Sequence, residues 1–442
     1  MCGKGGNSLS TAVLSLIVLV LLFVVATVLP INIGSAAFVA SFIVGVLLGG
    51  LKLPDLFAAF PTNLFILLAG ITYMFAIAQQ NGSMRIITDS AIRLVRGNVA
   101  VIPWIFHILG IILSGIGAGP AASTAILAPM AMSVAYAARI NPLMMAVMLV
   151  HGSHAGSMAP ISPIGAIVNG TAAAKGLPDS SMPLFINSLV LNILIALAAY
   201  FLLGGIPLLR RRHERYGSSV TGDPSEAQRS GAGTGTLTAE PLRLTSYHVA
   251  TFVGIALLLI LGVGFKLDVG FTAFTIGFVL ALLSPKQEQL AVDKIAWPTI
   301  LMLGGILTYI GVMDKVGGMA LISNALTAVG SPLVSVMLVA AIGAITSLFS
   351  ATGAVLGATI PMLAQVLGAA SGISVAGSVS TLAIASAVVD SSPMSLQGAV
   401  IMASVQGVER NVFFRQLLLW GVVMVFVGTL LPWLLFVVLG IW

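Results

Sequence analysis

The scarcity of charged side chains constrains this chain more than any other feature. Asp, Glu, Lys and Arg together make up 7% of its 442 residues, whereas they make up about a quarter of an ordinary soluble domain. The longest stretch without any of them runs from 316 to 389. So little charge cannot hydrate the surface of a soluble chain of this size, which excludes a soluble enzyme and a disordered protein. Since the apolar runs are far longer than the roughly ten-residue segments of a β-barrel, the sequence predicts an all-α polytopic membrane protein.

Segments long enough to cross a bilayer, about 20 apolar residues each, are predicted at ten places. They are 9–29, 33–51, 61–80, 142–170, 183–205, 246–263, 270–284, 297–313, 373–404 and 412–440. Two further apolar regions, 99–137 and 331–368, turn back in the middle and are predicted to be re-entrant helical hairpins. The first span is too apolar over too great a length for a secretory signal peptide, and no cleavage site follows it. We therefore expect it to be retained.

The distribution of Lys and Arg predicts the orientation, because basic residues accumulate on the cytoplasmic side. The segment that begins Arg210-Arg211-Arg212 is assigned to the cytoplasm. This assignment places 14 of the 19 basic residues inside and leaves five lysines outside: Lys4, Lys52, Lys175, Lys266 and Lys315. Both termini are then predicted outside the cell (inner) membrane. The net charge of +6 thus reflects topology, and no nucleic-acid partner is expected.

The two halves of the chain follow the same order of segments. Residues 1–205 form a predicted N-terminal membrane repeat and 246–442 a C-terminal one, joined by a polar, flexible cytoplasmic linker over 206–245. Phe60-Pro61-Thr62 and Trp297-Pro298-Thr299 open corresponding helices. Each half has five net crossings, and an odd number requires the halves to insert with opposite orientation. The sequence therefore predicts two inverted repeats.

Each predicted repeat also contains a long helix that is broken near its middle. The breaks lie within 142–170 and 373–404, where Ser162-Pro163 and Ser392-Pro393 occupy corresponding positions. Broken helices in inverted repeats are typical of secondary transporters, whose sites lie near the midplane between the breaks. The alternative is that Pro and Gly only kink packed helices. Two breaks at matching positions favour the transporter.

Asp390 is the only acidic residue inside a charge-free membrane segment. An acid in the bilayer is costly and needs a partner, so Asp390 is predicted to be a Na⁺ ligand or a protonatable carrier; alternatively, it caps the half-helix that restarts at Ser391. His151 and His154 have the spacing of a metal-binding pair, but no third ligand is evident. A proton relay or a packing role is the simpler interpretation. His107 is predicted to be a hydrogen-bonded helix residue.

No Lys or Arg lies in the hairpins or the broken helices. An anion bound there would depend on backbone N–H groups and hydroxyls at half-helix N-termini. A dianion that enters a negative-inside cell loses about 2.3 kcal/mol per charge per 100 mV. We therefore expect at least two monovalent cations to accompany each dianion.

Residues 53–169 resemble the MatC family of malonate and dicarboxylate carriers. The resemblance rests on Phe57-Ala58-Ala59-Phe60-Pro61, Phe75-Ala76-Ile77-Ala78-Gln79, Arg93-Leu94-Val95-Arg96-Gly97, Gly119-Pro120-Ala121-Ala122, Ala125-Ile126-Leu127-Ala128-Pro129 and the segment 151–163. The layout of the whole chain also resembles the wider ion transporter superfamily, which includes the divalent-anion/sodium symporters. This resemblance implies an elevator mechanism, a homodimer built through scaffold helices, and connecting arms at 83–96 and 319–328.

The divalent-anion symporters carry a Ser-Asn-Thr triplet at each hairpin tip, and neither triplet survives in this chain. The corresponding positions read Gly119-Pro120-Ala121 and Ala351-Thr352-Gly353, so backbone groups are expected to bind there and Asp390 to replace a missing ligand. The predicted substrate residues are Gly119, Pro120, Ala121, Ser162, Pro163, Thr352, Gly353, Ser392, Pro393 and Ser395. The predicted cation ligands are Ser157, Gly119, Ala351, Asp390 and Ser391.

The sequence thus predicts a secondary active transporter that imports a small dicarboxylate, such as malonate or succinate, with Na⁺. No cofactor is expected beyond the coupling ion. Alternatives are H⁺ coupling with the same substrate or a monocarboxylate, and a passive anion channel. A channel would need a continuous polar stripe through the bilayer. An intramembrane enzyme is disfavoured because no nucleophile motif is recognisable.

Overall fold

The computed structural model describes residues 4–29, 31–83, 86, 98–210, 244–265, 267–348, 351–368 and 372–441. The regular elements assigned in these ranges are helices. Six helical segments of the described residues are long and apolar enough to cross a membrane, and seven apolar helices are shorter. The six are Thr62–Gln80, Pro120–Ala137, Ser181–Leu202, Trp297–Lys315, Val375–Ser404 and Arg410–Val438. The prediction of an all-helical, multi-pass membrane protein is confirmed.

The described residues up to 210 contain ten helices, the last of which extends into the first part of the predicted linker. They are α1 (Lys4–Val28), α2 (Ile33–Ala40, continued by a π-helix over Ser41–Leu48), α3 (Leu53–Ala59), α4 (Thr62–Gln80), α5 (Ile102–Leu113, continued by a π-helix over Ser114–Ala118), α6 (Pro120–Ala137), α7 (Pro142–Ser157), α8 (Pro163–Ala174), α9 (Ser181–Leu202) and α10 (Gly205–Arg210). Most of the predicted linker, 211–243, lies outside the described residues, as does most of the predicted arm at 83–96.

Ten more helices follow the predicted linker. They are α11 (Ser246–Leu259, continued by a π-helix over Ile260–Gly264), α12 (Val269–Leu283), α13 (Pro285–Asp293), α14 (Trp297–Lys315), α15 (Gly318–Thr327), α16 (Pro332–Ser347), α17 (Thr352–Gly368), α18 (Val375–Val388, continued by a 3₁₀ turn over Val389–Ser391), α19 (Leu396–Ser404) and α20 (Arg410–Pro432, continued by a π-helix over Trp433–Val438). The predicted arm at 319–328 corresponds to α15.

The two regions predicted to turn back each contain a pair of helices that pack on each other. These pairs are α5 with α6 and α16 with α17. The two helices predicted to be broken are interrupted between α7 and α8 and between α18 and α19. Because α7 and α18 are buried along almost their whole length, they form the centre around which the hairpin helices pack.

Glycines allow two pairs of helices to cross at unusually short range. α2 packs on α14, where a Cβ at Gly34 would collide with the carbonyl of Leu301 and a Cβ at Gly305 with that of Gly34. α4 packs on α12, where a Cβ at Gly70 would collide with the carbonyl of Gly270. Small residues are the usual means of close helix contact in membranes, where apolar burial gives no driving force.

Two short helices that were not predicted precede α4 and α14. Helix α3 runs beside α14: Lys315 pairs with Asp55 at 2.7 Å, and a Cβ at Gly304 would lie 2.9 Å from the ring of Phe60. Helix α13 packs on α4 in the same manner. The predicted starts of α4 and α14 at the Pro-Thr pairs are confirmed, but each start lies behind a short helix. Seven and nine residues are too few to give a span signal in the sequence.

Candidate functional site

The first break leaves the N-terminus of α8 without a side-chain cap. Ser162 is the N-cap residue and has an extended backbone, and Pro163 is the first helical residue. The Ser162 side chain is fully buried, and its Oγ has no hydrogen-bond partner among the described residues. A serine at this position usually accepts a hydrogen bond from the second or third N–H of its helix. Here the Ser162 hydroxyl makes no such bond, so it does not cap those N–H groups.

The tip of the first hairpin brings a second uncapped N-terminus to the same place. Gly117 and Gly119 adopt φ values of 114° and 78°, a left-handed region in which other residues are strained. Helix α6 then begins at Pro120 without a side-chain cap. A Cβ at Gly119 would lie 3.4 Å from Cγ of Pro163. The starts of α6 and α8 are therefore neighbours, and the positive ends of both helix dipoles lie together.

Asp390 forms the centre of a hydroxyl cluster at the second break. Its half-buried carboxylate accepts hydrogen bonds from the hydroxyls of Thr352 and, at 3.4 Å, Ser347. The two hydroxyl oxygens are 3.2 Å apart. Ser347 ends α16 and Thr352 begins α17, so both come from the turn of the second hairpin. This arrangement joins the tip of that hairpin to the broken helix α18–α19.

The alternative prediction that Asp390 caps the restarting half-helix is wrong. The helix restarts at Leu396, and its cap is Ser395, whose Oγ accepts a hydrogen bond from Gly398 N at 3.0 Å. The Asp390 side chain instead faces the second hairpin. The reason is local: Ser392-Pro393 lies three residues before the cap, whereas Ser162 is itself the cap of α8.

Most of the other predicted hydroxyls and carbonyls are already used by the backbone. The Oγ atoms of Ser157 and Ser391 donate to carbonyls three residues earlier, at 2.8 and 2.9 Å. Ser392 Oγ accepts a hydrogen bond from Met394 N at 3.3 Å. The carbonyls of Gly119 and Ala351 accept the first hydrogen bonds of α6 and α17.

Gly353 connects the second hairpin to the first break. A Cβ at this position would lie 3.2 Å from Ile167 and 3.8 Å from Ile164, both on α8. Thr352 is adjacent and contacts Asp390. The start of α17 therefore lies between the uncapped end of α8 and the carboxylate of Asp390. The predicted residues thus form one connected region, although the structure gives them unequal roles.

His151 belongs to a buried hydrogen-bonded network beside this region. The Nε1 of Trp420 donates to Nε2 of His151 at 3.2 Å. Since an indole can only donate, His151 carries its proton on Nδ1, which donates to Asn192 Oδ1 at 2.9 Å. This pattern accommodates only a neutral ring. His154 is buried, and neither of its ring nitrogens has a hydrogen-bond partner in the part of the chain that the structure describes. As predicted, His107 is hydrogen-bonded, to the carbonyl of Met148 at 2.8 Å.

A metal centre receives no support from the described residues. Within them, no group of three His, Cys, Asp or Glu side chains could hold a metal ion. His151 is already engaged by Trp420 and Asn192. Of the two histidines, His151 is thus held by hydrogen bonds, and the His154 ring packs beside it with the ring centroids 6.3 Å apart.

Two polar residues at this region were not singled out from the sequence. Ser347 joins the Asp390 cluster. Gln397 is buried at the start of α19, and neither amide atom has a hydrogen-bond partner within the described ranges. Ser347 is one of many serines in the apolar helices, so the sequence did not distinguish it as a site residue. Gln397 could have been distinguished, because it is the only Gln, Asn or charged residue between Asp390 and Gln406.

Residues 9–157 match the family model described as "Dicarboxylate carrier protein MatC N-terminus". No curated protein matches the chain. The match covers the N-terminal third of the chain, from α1 to the end of α7, and includes the first hairpin. The predicted resemblance to this family is confirmed over these residues. The family is one of carrier proteins, which are transporters and not enzymes.

Proposed function

We propose that this protein is a secondary active transporter that imports a small dicarboxylate, such as malonate or succinate, together with Na⁺. The observation that carries the proposal is the pairing of the uncapped N-termini of α6 and α8, with the free hydroxyl of Ser162 between membrane helices. This pairing is a site for an anion, and α6 lies within the segment that matches a dicarboxylate carrier family.

The substrate carboxylate is proposed to bind across these two N-termini. Backbone N–H groups after Gly119 and Ser162 would donate to its oxygens, as in other anion sites at helix starts. Each helix terminus contributes roughly 0.3–2 kcal/mol, whereas micromolar affinity needs about 8 kcal/mol. Direct hydrogen bonds and a bound cation must supply the remaining binding free energy. The Ser162 hydroxyl can donate one such hydrogen bond.

The cation is proposed to bind at Asp390. The carboxylate and the hydroxyls of Ser347 and Thr352 provide oxygen ligands, which hard cations prefer. A cation there would satisfy the buried charge and bring positive charge to the substrate region. Two such cations per dianion would cancel the roughly 2.3 kcal/mol per charge per 100 mV that opposes anion entry. Protonation of Asp390 is the alternative form of coupling.

An inverted-repeat elevator is the architecture that we propose for this transport. The proposal is supported by contacts that recur with the two halves exchanged. Helix α2 packs on α14, and its counterpart α12 packs on α4. Helix α6 packs on α19, and its counterpart α17 packs on α8. Gly34 and Gly270 are the second residues of α2 and α12, each behind a side-chain cap, Asn32 or Asp268. The hairpins and broken helices would move against a scaffold that contains α2, α4, α12 and α14. Two scaffolds would form a homodimer, with 83–96 and α15 as connecting arms.

The proposed orientation keeps both termini and the five lysines outside. Two ion pairs support the grouping of the lysines: Lys315 with Asp55 at 2.7 Å and Lys175 with Asp314 at 3.5 Å. These pairs bring the ends of α8 and α14 and the start of α3 to one side. A hydrogen bond joins the C-terminal end of α4 to the first turn of α11, which the proposed topology places together on the cytoplasmic side.

Uptake into proteoliposomes tests the function. Labelled malonate and succinate are offered with an inward Na⁺ gradient, with K⁺ in its place, and with a proton gradient alone, each under an inside-negative potential. We expect saturable, Na⁺-dependent accumulation of a dicarboxylate. Uptake that is independent of every gradient would contradict the proposal, and a current that does not saturate would indicate a channel.

A further inference from the structure

Gln397 carries a buried side-chain amide near the start of α19. It is the second residue of α19 and is 2% exposed. Among the described residues, neither Nε2 nor Oε1 has a hydrogen-bond partner. A primary amide has two donors and two acceptor lone pairs, and leaving them unmade in a buried position is costly. Within the described residues the amide therefore lacks the partner that a buried position needs.

The packing of α19 places Gln397 beside the first hairpin. Helix α19 packs on α6, and a Cβ at Gly407, just beyond α19, would collide with the ring of Tyr136 at the end of α6. The C-terminal ends of the two helices therefore lie together. Because α19 packs along α6 from this shared end, the start of α19, where Gln397 lies, is directed toward the N-terminal part of α6.

The correspondence between the two halves leads to the same place. Aligning the caps of the two restarted helices, Ser162 and Ser395, pairs Ile164 with Gln397. Ile164 lies 3.8 Å from the Cβ position of Gly353 at the tip of the second hairpin. The equivalent place for Gln397 is the tip of the first hairpin, where α6 begins at Pro120. An apolar side chain at one tip thus corresponds to an amide at the other.

We infer that Gln397 is a substrate-binding residue that donates its amide N–H groups to a carboxylate held at the starts of α6 and α8. This inference rests on the proposed function and adds to it an uncharged, directional donor at the end of the site. The amide recognises the oxygens of a carboxylate without the desolvation cost of a buried cation. It also makes the site asymmetric, because the equivalent residue at the other hairpin tip, Ile164, has an apolar side chain.

Binding measured on the full-length protein in detergent tests the inference. Titrations use malonate, succinate and acetate at fixed Na⁺ with wild type, Gln397→Leu and Gln397→Glu. The control is Thr429→Val, which also removes a buried, unpartnered polar group but lies on α20. We expect Gln397→Leu to weaken dicarboxylate binding roughly 10- to 100-fold, the range for a hydrogen bond to a charged group. Gln397→Glu should weaken it further, because it places a carboxylate against an anion.

The outcomes separate the inference from the proposed function. If wild type binds no carboxylate, the proposed function fails. If wild type binds and Gln397→Leu retains its affinity, or Thr429→Val loses as much, the inference is overturned. Gln397→Leu removes an unsatisfied amide, so its melting temperature without ligand should not fall. Gln397→Asn, which keeps the amide but shortens its reach, provides a second comparison and should also bind more weakly than wild type.

Discussion

At the scale of single residues, two Ser-Pro pairs that look alike in sequence differ in chemistry. Both pairs mark helix breaks, as predicted. Ser162 directly precedes its helix and keeps a free hydroxyl, whereas Ser392 lies three residues before the cap Ser395 and accepts a hydrogen bond from the backbone. A one-dimensional pattern shows that a chain breaks, but the turn geometry decides which oxygen is left for a ligand. That part of the site could not be predicted.

Ser162→Ala should weaken substrate binding more than Ser392→Ala does. The first change removes a free hydroxyl beside two uncapped helix starts, and the second removes a local turn contact. We expect roughly a tenfold loss of dicarboxylate affinity for Ser162→Ala, about the value of one hydrogen bond to a charged group. Equilibrium titration of both variants compares them, and equal effects would argue against substrate contact at Ser162.

Asp390→Asn should uncouple uptake from Na⁺. The substitution keeps the shape and one oxygen but removes the charge that a cation would neutralise. We expect the Na⁺ concentration for half-maximal uptake to rise by roughly tenfold or more. Asp293→Asn, at an exposed position at the end of α13, is the matched control. If the wild type, Asp390→Asn and Asp293→Asn all showed the same sodium dependence, Asp390 would not be the cation ligand.

At the scale of helices, the sequence predicts most spans to within a few residues because apolar length is a strong signal. It misses α3 and α13, which are too short to register and are held by their neighbours. The close crossings were also not predicted, since the 48 glycines of the chain do not reveal which ones contact another backbone. Gly34 and Gly70 do, whereas nothing lies within 4 Å of a Cβ at Gly368.

Gly34→Ala and Gly70→Ala should each destabilise the protein by about 1–3 kcal/mol or more, the usual cost of overpacking. The added methyl groups would meet carbonyl oxygens of α14 and α12, which cannot rotate away as a side chain can. Gly368→Ala should leave the melting temperature nearly unchanged. The three variants are compared by thermal unfolding in one detergent. Equal melting temperatures would mean that the crossing helices can move apart to accommodate a methyl group without loss of stability.

At the scale of the whole molecule, the order of elements was predictable but their contacts across the halves were not. Hydrophobic length sets where each helix lies in the chain, while packing between distant segments depends on surface shape. The ion pair of Lys175 with Asp314 illustrates this. It joins the end of α8 to the end of α14, which in the proposed elevator belong to the moving and fixed parts respectively.

A crosslink between positions 175 and 314 should therefore stop uptake. Lys175→Cys with Asp314→Cys, in a Cys2→Ser background, is treated with a short bifunctional thiol reagent whose bond is reversible. We expect transport to fall to background and to return on reduction. The matched control is the cysteine pair at 55 and 315, whose native side chains lie 2.7 Å apart on α3 and α14. Full activity of the crosslinked 175–314 protein would exclude movement of α8 past α14.

The glycine crossings also have a consequence for how the protein is made. Each crossing pairs a helix from before residue 206 with one from after residue 245, so α2 and α4 leave the ribosome before their partners exist. Their open glycine faces must remain in the bilayer until α12 and α14 are synthesised. The N-terminal half is therefore an assembly intermediate that depends on the rest of the chain. Two polypeptides separated within 211–243 and produced together should assemble, whereas either one alone should be degraded.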